Sequence, residues 1–202
     1  MLRIGLVMLQ GARHAHISTL EQASEETGIG IEIYELRKAS DLAYADPHAL
    51  VIPGGESTTM RLTGNDPKSS LLPAIFDWIR SNDELPVLAT CAGAILLAHP
   101  DDGGKPLVDA TVERNAFGSQ SESFQSPLDA LALDREFPGV FIRAPRFAAT
   151  SSHSEVTATL GGEVVGVRTQ NRMALTFHPE LSSDSGFHVW LLETAKAIST
   201  VA

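Results

Sequence analysis

The stretch "LATCAGAILLA", Leu88 to Ala98, has the pattern of a buried strand that turns directly into a helix. An apolar run leads up to Cys91, the single cysteine of the chain, and small residues then lead into a second apolar run. A nucleophile can project from such a strand-to-helix turn, as the hydrolase serines of the Gly-x-Ser-x-Gly pattern do. Free cysteines are among the most buried residue types, so Cys91 taken alone is more often a core residue, and the local pattern does not separate the two interpretations.

Strand and helix patterns alternate through the first half of the chain. Residues 2–9 and 49–53 are nearly continuous apolar runs, typical of strands covered on both faces, and residues 31–36 alternate like a strand at a sheet edge. Residues 12–27 and 69–81 are compatible with helices. This order predicts an α/β fold with a doubly wound, mainly parallel sheet, whose sites lie at the carboxyl ends of the strands.

The second half of the sequence favours short strands separated by glycine or asparagine turns. We therefore expect an antiparallel extension of the sheet and one closing helix over residues 185–199. The predicted strands of this half lie at residues 109–117, 139–145, 154–160, 163–169 and 172–180. Because no repeat, linker or low-complexity segment interrupts the sequence, we expect residues 1–202 to form a single domain.

The composition argues against several classes of binding partner. The 202 residues carry a formal net charge of -10, which repels phosphate backbones and anionic membrane surfaces. No apolar stretch approaches the roughly 20 residues of a membrane span, and no secretory cleavage pattern is present. One cysteine forms no internal disulfide, and no Cys/His cluster has zinc-ligand spacing. We expect a cytoplasmic protein without nucleic-acid, membrane or metal partners.

The segment "FHPEL", residues 177–181, follows a predicted strand and contains His178 and Glu180. If the extended backbone continues through Pro179, the two side chains point to the same side, because strand side chains repeat every two residues. An imidazole oriented by a carboxylate is what a general base for a thiol nucleophile requires. The alternative is an exposed turn with incidental polar residues.

The segment "VIPGGESTTM", residues 51–60, runs from a strand into paired glycines, Gly54 and Gly55, and a helix start at Ser57. Paired glycines allow backbone conformations in which amides point into a site and stabilise an oxyanion. The spacing of a phosphate-binding loop is absent. A plain turn remains the alternative.

Taken together and in this order, these segments resemble the triad, or class I, glutamine amidotransferase family, and within it the glutaminase subunits of pyridoxal 5'-phosphate synthase. The likeness covers nearly the whole chain and rests on "PGGESTTM", "TCAGAILLA", "VERNAFGSQSESF", "VFIRAPRF" and "FHPELSSD". It implies a flavodoxin-like three-layer fold. It further implies that L-glutamine is hydrolysed to glutamate and ammonia through a glutamyl thioester, without a cofactor or metal.

The resemblance also implies residue roles. Cys91 would be the nucleophile, His178 the general acid and base, and Glu180 the residue that orients the imidazole. The implied substrate-binding residues are Gly55, Glu56, Ser57, Arg114, Ile142 and Arg143. Backbone amides of Gly54, Gly55 and Ala92 would hold the oxyanion. A guanidinium is the natural partner of the glutamine α-carboxylate, although surface ion pairs are the alternative for both arginines.

Three features depart from the family pattern or stay open. Ala89 stands where the family usually has glycine, and Ser119 stands where it usually has a basic residue. Neither change removes a catalytic group, but Ser119 puts any charge-dependent contact there in doubt. Residues 62–70 are polar and are expected to form a loop.

The implied partner is a separate synthase subunit of pyridoxal 5'-phosphate synthase, joined with the glutaminase in a large hetero-oligomer. Ammonia released into solution would be protonated and lost, so a docked acceptor enzyme is expected. Residues 10–16 follow the first predicted strand and therefore lie on the site face, where we expect them to contribute to that interface. A plain helix start is the alternative for this segment.

Two other functions remain as alternatives. The chain could supply ammonia to another pathway, against which the "RNAFG" and "FIRAP" segments argue. It could also be a non-catalytic binding or redox-sensing protein in which Cys91 is oxidised. A sensor has no need of the paired His178 and Glu180.

Overall fold

The computed structural model of the chain describes residues 1–113 and 123–201. The strands are β1 (Leu2–Val7), β2 (Ile31–Leu36), β3 (Ala49–Ile52), β4 (Val87–Thr90), β5 (Ala110–Glu113), β6 (Phe124–Ala130), β7 (Arg135–Phe141), β8 (Arg146–Thr150), β9 (Glu155–Leu160), β10 (Glu163–Thr169) and β11 (Arg172–Leu175). The helices are α1 (Arg13–Thr27), α2 (Ala39–Ala45), α3 (Ser57–Gly64), α4 (Leu71–Ser81), α5 (Ala92–Ala98) and α6 (Gly186–Val201), with short 3₁₀ turns at Leu131–Leu133 and Pro179–Leu181.

Nine of these strands form one sheet in the order β2-β1-β3-β4-β11-β10-β9-β6-β7. The first five are parallel to their neighbours. From β11 onward every pairing is antiparallel. A separate two-stranded sheet pairs β5 with β8. The predicted parallel sheet with an antiparallel extension is therefore confirmed.

The sheet is covered by helices on both faces. Along β3, Leu50 and Ile52 pack into one core together with residues of α2, α4 and α5, whereas Ala49 and Val51 pack into the other core with residues of α1 and α6. This alternation follows from the two-residue repeat of strand side chains. All four residues are buried, so the continuous apolar run in the sequence marks a strand with a core on each face.

Several boundaries in the first half agree with their sequence signals. Helix α1 ends at Gly28, which adopts the left-handed conformation (φ 68°) that commonly terminates a helix. Pro73 lies in the first turn of α4, where its missing N–H costs no hydrogen bond. Strand β2 lies at the edge of the sheet, as its alternating pattern predicts.

Other elements differ from the prediction. Helix α2 was not predicted, because it is only seven residues long and buries only Leu42 and Ala45. Strands β6 and β8 were also missed, since both are largely exposed and β6 contains Pro127. The strand expected over 139–145 ends at Phe141. Helix α3 continues to Gly64, into the segment expected to be a loop.

The parallel topology brings four loops together at one edge of the sheet. The chain leaves β1, β3, β4 and β11 at their carboxyl ends, and these strands are neighbours. The segments that follow them contain Gln10, Gly54, Cys91 and His178, respectively. No helix in the described part of the chain combines the length and apolar character that crossing a bilayer demands.

Gly93, in the first turn of α5, allows this helix to approach β3 closely. A Cβ atom at this position would lie 2.2 Å from the main-chain oxygen of Ile52 and 3.1 Å from that of Pro53. We expect Gly93→Ala to lower the free energy of unfolding by about 1 to 3 kcal/mol, because backbone atoms have to separate. Alanine otherwise favours a helix over glycine, so the sign of the change isolates the steric effect.

Denaturant titration measures this difference through the unfolding midpoint. Gly30→Ala is the matched control, since the nearest atom to a Cβ there is the Met1 side chain at 3.9 Å. Equal stability of the Gly93 and Gly30 variants would contradict the close packing of α5 on β3.

Candidate active site

Cys91 occupies the sharp turn between β4 and α5. Its φ and ψ angles are 49° and -110°, a conformation that costs a residue other than glycine about 1 to 3 kcal/mol. The turn is held by the neighbouring strand, because the N–H of Cys91 donates to the carbonyl oxygen of Leu175 at 2.8 Å. The residue is 7% exposed and lines a surface cavity. A strained turn that presents a thiol to a cavity has the geometry of a nucleophile elbow.

His178 and Glu180 lie beside Cys91, after the end of β11. The N–H of His178 donates to the carbonyl oxygen of Val140 at 2.8 Å, and its Nδ1 lies 2.8 Å from Oε1 of Glu180. The two side chains meet because Pro179–Leu181 forms a 3₁₀ turn. The expected continuation of the extended backbone through Pro179 is therefore wrong, although the pairing expected from it is present.

The charges around His178 favour a protonated imidazole. Burial lowers the pKa of His178, but hydrogen bonding to Cys91 and to Glu180, together with their negative charges, raises this pKa to about 10. Burial raises the pKa of Glu180, whereas the contacts with His178 and His16 lower it. The second effect is larger, so the pKa of Glu180 lies below its usual value. At neutral pH the pair is therefore an imidazolium and a carboxylate.

The loop after β3, which contains Gly54 and Gly55, packs against Cys91 and His178. A Cβ on Gly54 would lie 2.7 Å from Cε1 of His178 and 3.0 Å from Cβ of Cys91, so only glycine fits between them. Gly55 has a φ of 149°, and the N–H of Glu56 donates to Oε1 of Gln10 at 2.6 Å. The side chain of Gln10 thus fixes the loop from the end of β1.

The segment expected at an interface, residues 10–16, is only partly at the surface. Gly11 and His14 are exposed, whereas His16 is completely buried. His16 therefore has no direct contact with a partner, and the contribution of the other residues remains a prediction.

A cavity of about 460 Å³ opens above the thiol. Most of the residues predicted to act at the site line it, namely Gly55, Glu56, Ser57, Cys91, Ala92, Ile142, Arg143 and His178. Glu180 lies behind His178, and Arg114 lies outside the described residues. Thr58, Ile95 and Pro145 also line the cavity and were not predicted. Only Ile95 had a sequence signal, since a residue four positions after Cys91 lies on the same face of the helix.

Glu56 contacts the cavity, but its carboxylate is occupied by its own helix. The two carboxylate oxygens accept from the N–H groups of Thr58 (3.0 Å) and Thr59 (2.7 Å), and the Thr59 hydroxyl donates as well. These hydrogen bonds lower the pKa of Glu56 to about 2. Glu56 is the N-cap of α3 and thereby stabilises the helix that begins with Ser57.

Arg143 lies at the rim of the cavity with an exposed side chain and a φ of 43°. Within residues 1–113 and 123–201 no carboxylate pairs with its guanidinium, whereas Arg135 and Arg168 both have acidic partners. An unpaired guanidinium beside a cavity suits a ligand carboxylate. In the same described residues, no three His, Cys, Asp or Glu side chains are grouped as a metal site would require.

Comparison with known proteins agrees with this arrangement. Residues 6–197 match the SNO glutamine amidotransferase family. The chain belongs to this family. The family resemblance predicted from the sequence motifs is thereby confirmed.

Proteins similar to this chain include two named pyridoxal 5'-phosphate synthase subunit PdxT. The protein from Thermococcus onnurineus is 39% identical, with 96% of this chain and 100% of the relative covered. The protein from Dehalococcoides mccartyi is 42% identical, with 96% and 98% covered. A solved structure described as a glutamine amidotransferase superimposes with a TM-score of 0.79 at 37% identity, covering 96% of this chain and 99% of the other.

Proposed function

We propose that the chain is the glutaminase subunit of a pyridoxal 5'-phosphate synthase and hydrolyses L-glutamine with Cys91, His178 and Glu180. The observation that carries the proposal is the position of Cys91, a strained thiol that lines the same cavity as the carboxylate-paired imidazole of His178. An oxidation sensor needs a thiol at the surface and no oriented imidazole. A protein built to acylate its cysteine needs both groups.

In the first half of the reaction, the Cys91 thiolate attacks the side-chain amide carbon of glutamine. The resulting tetrahedral intermediate carries an oxyanion, for which backbone amides of Gly54, Gly55 and Ala92 are the proposed donors. One well-placed donor of this kind contributes about 3 to 4 kcal/mol in other hydrolases. The C–N bond then breaks as the His178 imidazolium donates its proton to the departing nitrogen, which leaves ammonia and a glutamyl thioester.

In the second half, neutral His178 removes a proton from water, and the oxygen attacks the thioester. The C–S bond breaks, glutamate is released, and the thiolate–imidazolium pair is restored. Glu180 stays ionised throughout, because its role is to hold Nδ1 of His178 at 2.8 Å and to stabilise the imidazolium.

Substrate binding places the α-carboxylate of glutamine at the rim of the cavity. We assign Arg143 to this carboxylate, because it lines the cavity and has no acidic partner among the described residues. Gly55, Ser57 and Ile142 line the same cavity and complete the proposed binding surface, to which we also assign Arg114.

Replacement of Arg143 tests this assignment. We expect Arg143→Ala to raise KM for glutamine about 10- to 100-fold, the value of a hydrogen bond to a charged group, with kcat changed less than about threefold. Steady-state kinetics measures both constants, and Arg143→Lys should recover part of the loss. Arg168→Ala is the control, since its partner is Glu155 on the neighbouring strand. An unchanged KM in Arg143→Ala would exclude Arg143 from carboxylate binding.

The ammonia is proposed to pass to a separate synthase subunit within a large hetero-oligomer. The support comes from the relatives, which are named as subunits of pyridoxal 5'-phosphate synthase. We further propose that residues 1–202 form one glutaminase domain, and that the complex works in the cytoplasm without nucleic-acid or membrane partners. The net charge of -10 disfavours nucleic acids and anionic membranes as partners, and a single cysteine, which forms no internal disulfide, is compatible with the reducing cytoplasm.

The direct test compares glutamine hydrolysis and pyridoxal 5'-phosphate formation with and without the synthase subunit. Glutamate release by the chain is expected, together with glutamine-dependent pyridoxal 5'-phosphate formation when both subunits are present. The synthase alone should form the product from ammonium salts. If glutamate were released but only a different acceptor enzyme used the ammonia, the glutaminase would stand and the pathway would be wrong.

A further inference from the structure

Two completely buried histidines lie behind Glu180, on the side away from Cys91. His16 on α1 and His188 on α6 are both 0% exposed. Nε2 of His16 lies 3.5 Å from Oε1 of Glu180, and Nδ1 of His16 lies 3.1 Å from Nε2 of His188. Together with His178 and Glu180, these rings form a continuous polar row that leads away from Cys91. The proposed reaction uses only the first members of this row.

The protons of this row can be assigned from charge and hydrogen bonding. The 3.1 Å contact between the two rings requires one nitrogen to donate and the other to accept. If His16 donated there as a neutral ring, its Nε2 lone pair would face the Glu180 carboxylate, which is repulsive. If His188 donates instead, His16 carries its proton on Nε2 and presents it to the carboxylate. The second arrangement is favoured, since each N–H then points along the row toward the negative charge.

Both rings are neutral at neutral pH. Burial lowers the pKa of His16, the Glu180 carboxylate raises it and the charge of His178 lowers it, with a net downward shift. Burial, followed by the nearby His16, holds the pKa of His188 well below its usual range. These are the charged and titratable groups that face the two rings from the neighbouring elements in the described part of the chain. A neutral ring with a fixed tautomer is a hydrogen-bond donor that does not compete with His178 for the catalytic proton.

We propose that His16 is a positioning residue of the glutaminase: its neutral ring donates from Nε2 toward Glu180, and His188 fixes the tautomer that makes this donation possible. The inference rests on the proposed function. The 3.5 Å separation is longer than an ordinary hydrogen bond, and catalytic contacts are often long before substrate binds. Nε2 of His16 and Oε2 of Glu180 are both buried without a hydrogen-bond partner among the described residues, so an unpartnered donor and a carboxylate with an unpartnered oxygen face each other across this separation.

The kinetic test uses His16→Leu and His16→Gln. Leucine fills the site without a donor, and the glutamine amide restores an N–H at a similar reach. In His16→Leu we expect kcat for glutamine hydrolysis to fall about tenfold, KM to stay within about twofold, and the acidic limb of the pH profile to move to higher pH. The limb moves because an unsupported Glu180 carboxylate gains its proton more easily. His16→Gln should recover most of kcat and return the acidic limb.

The second measurement needs no variant to be active. In ¹⁵N-histidine-labelled wild-type chain at pH 7, two-bond ¹H–¹⁵N correlation spectra should show both rings neutral and protonated on Nε2. Spectra of His16→Gln and His188→Gln assign the signals, because each substitution removes the signals of one ring. A charged His16, or one protonated on Nδ1, would overturn the proposal.

Equal kinetic losses in both His16 variants with an unmoved acidic limb would also overturn it, since they indicate packing alone. Failure of the proposed function is separable from these results. In that case the wild-type chain itself would release no glutamate, whatever the state of the two rings.

Discussion

Cys91→Ala abolishes glutamine hydrolysis, with an expected fall in kcat/KM on the order of 10⁴-fold or more. The size of the effect follows from the proposed covalent step, because without the thiolate no thioester forms and His178 has no nucleophile to serve. Glutamate release by the purified subunit pair measures it. The stability of the fold should change little, since alanine removes a single sulfur atom at a residue that lines the cavity.

The same variant reports on the electrostatics of the site. Cys91 and Glu180 together raise the pKa of His178 to about 10, so loss of the thiolate should lower this pKa. NMR titration of the imidazole follows the change. A raised pKa stabilises the folded state below about pH 6.5, and this contribution is lost as the pH rises through the folded pKa. In both chains the loss begins near pH 6.5, but in Cys91→Ala the contribution should be smaller and its loss should be complete at a lower pH than in the wild-type chain.

Cys91→Gly separates chemistry from backbone strain. Glycine is as inactive as alanine, but it adopts a φ of 49° without a side-chain penalty. We expect the glycine variant to be more stable than the alanine variant by about 1 kcal/mol in denaturant titration. Equal stability would show that the turn is unstrained, and hydrolysis by either variant would remove Cys91 from the nucleophile's role.

How far the fold was predictable depends on where each element lies. The central strands were found because both of their faces are buried, which leaves an uninterrupted apolar run such as residues 49–52. Strand β6 lies near the far edge of the sheet, has mostly exposed residues and carries no such signal. Helix α2 is too short for its spacing to be distinctive.

The candidate site was predictable where its residues follow strands and much less so elsewhere. Cys91 and His178 lie together because β4 and β11 are neighbours in the sheet. The alternation of strands and helices predicts that both residues follow strands, but it does not predict that these two strands are adjacent. The contact of His16 with His188 joins positions that are 172 residues apart on two different helices. A polar residue on the inner face of a helix breaks the apolar pattern and gives no sign of its partner.

The two contacts made by the N-terminal end of α1 and the loop before it also emerge only in three dimensions. The loop before this helix contains Gln10, which holds the glycine loop over the cavity, and the helix itself carries His16, which faces Glu180. Residues 10–16 therefore contact two parts of the site, the glycine loop after β3 and the carboxylate of Glu180. Its sequence, by contrast, predicts only a helix that follows a strand.

Gly54→Ala is the second change for which we expect a large loss, on the order of 100-fold in kcat. The added Cβ would lie 2.7 Å from Cε1 of His178 and 3.0 Å from Cβ of Cys91, well inside ordinary van der Waals contact. The ring of His178 has to move, and movement breaks its 2.8 Å contact with Glu180 or its alignment with the thiol. A displacement of about 1 Å at reacting groups is sufficient for a loss of this size.

Binding should be less affected than turnover, because Arg143 and the rim of the cavity are unchanged; KM is therefore expected to stay within about threefold. Gly54 has no positive φ, so alanine is compatible with the backbone, and overpacking should cost about 1 to 3 kcal/mol of stability. Gly30→Ala, remote from other atoms apart from Met1, should retain full activity. If Gly54→Ala kept the wild-type kcat, His178 would not occupy its present position during the reaction, and the proposed proton transfers would need another group.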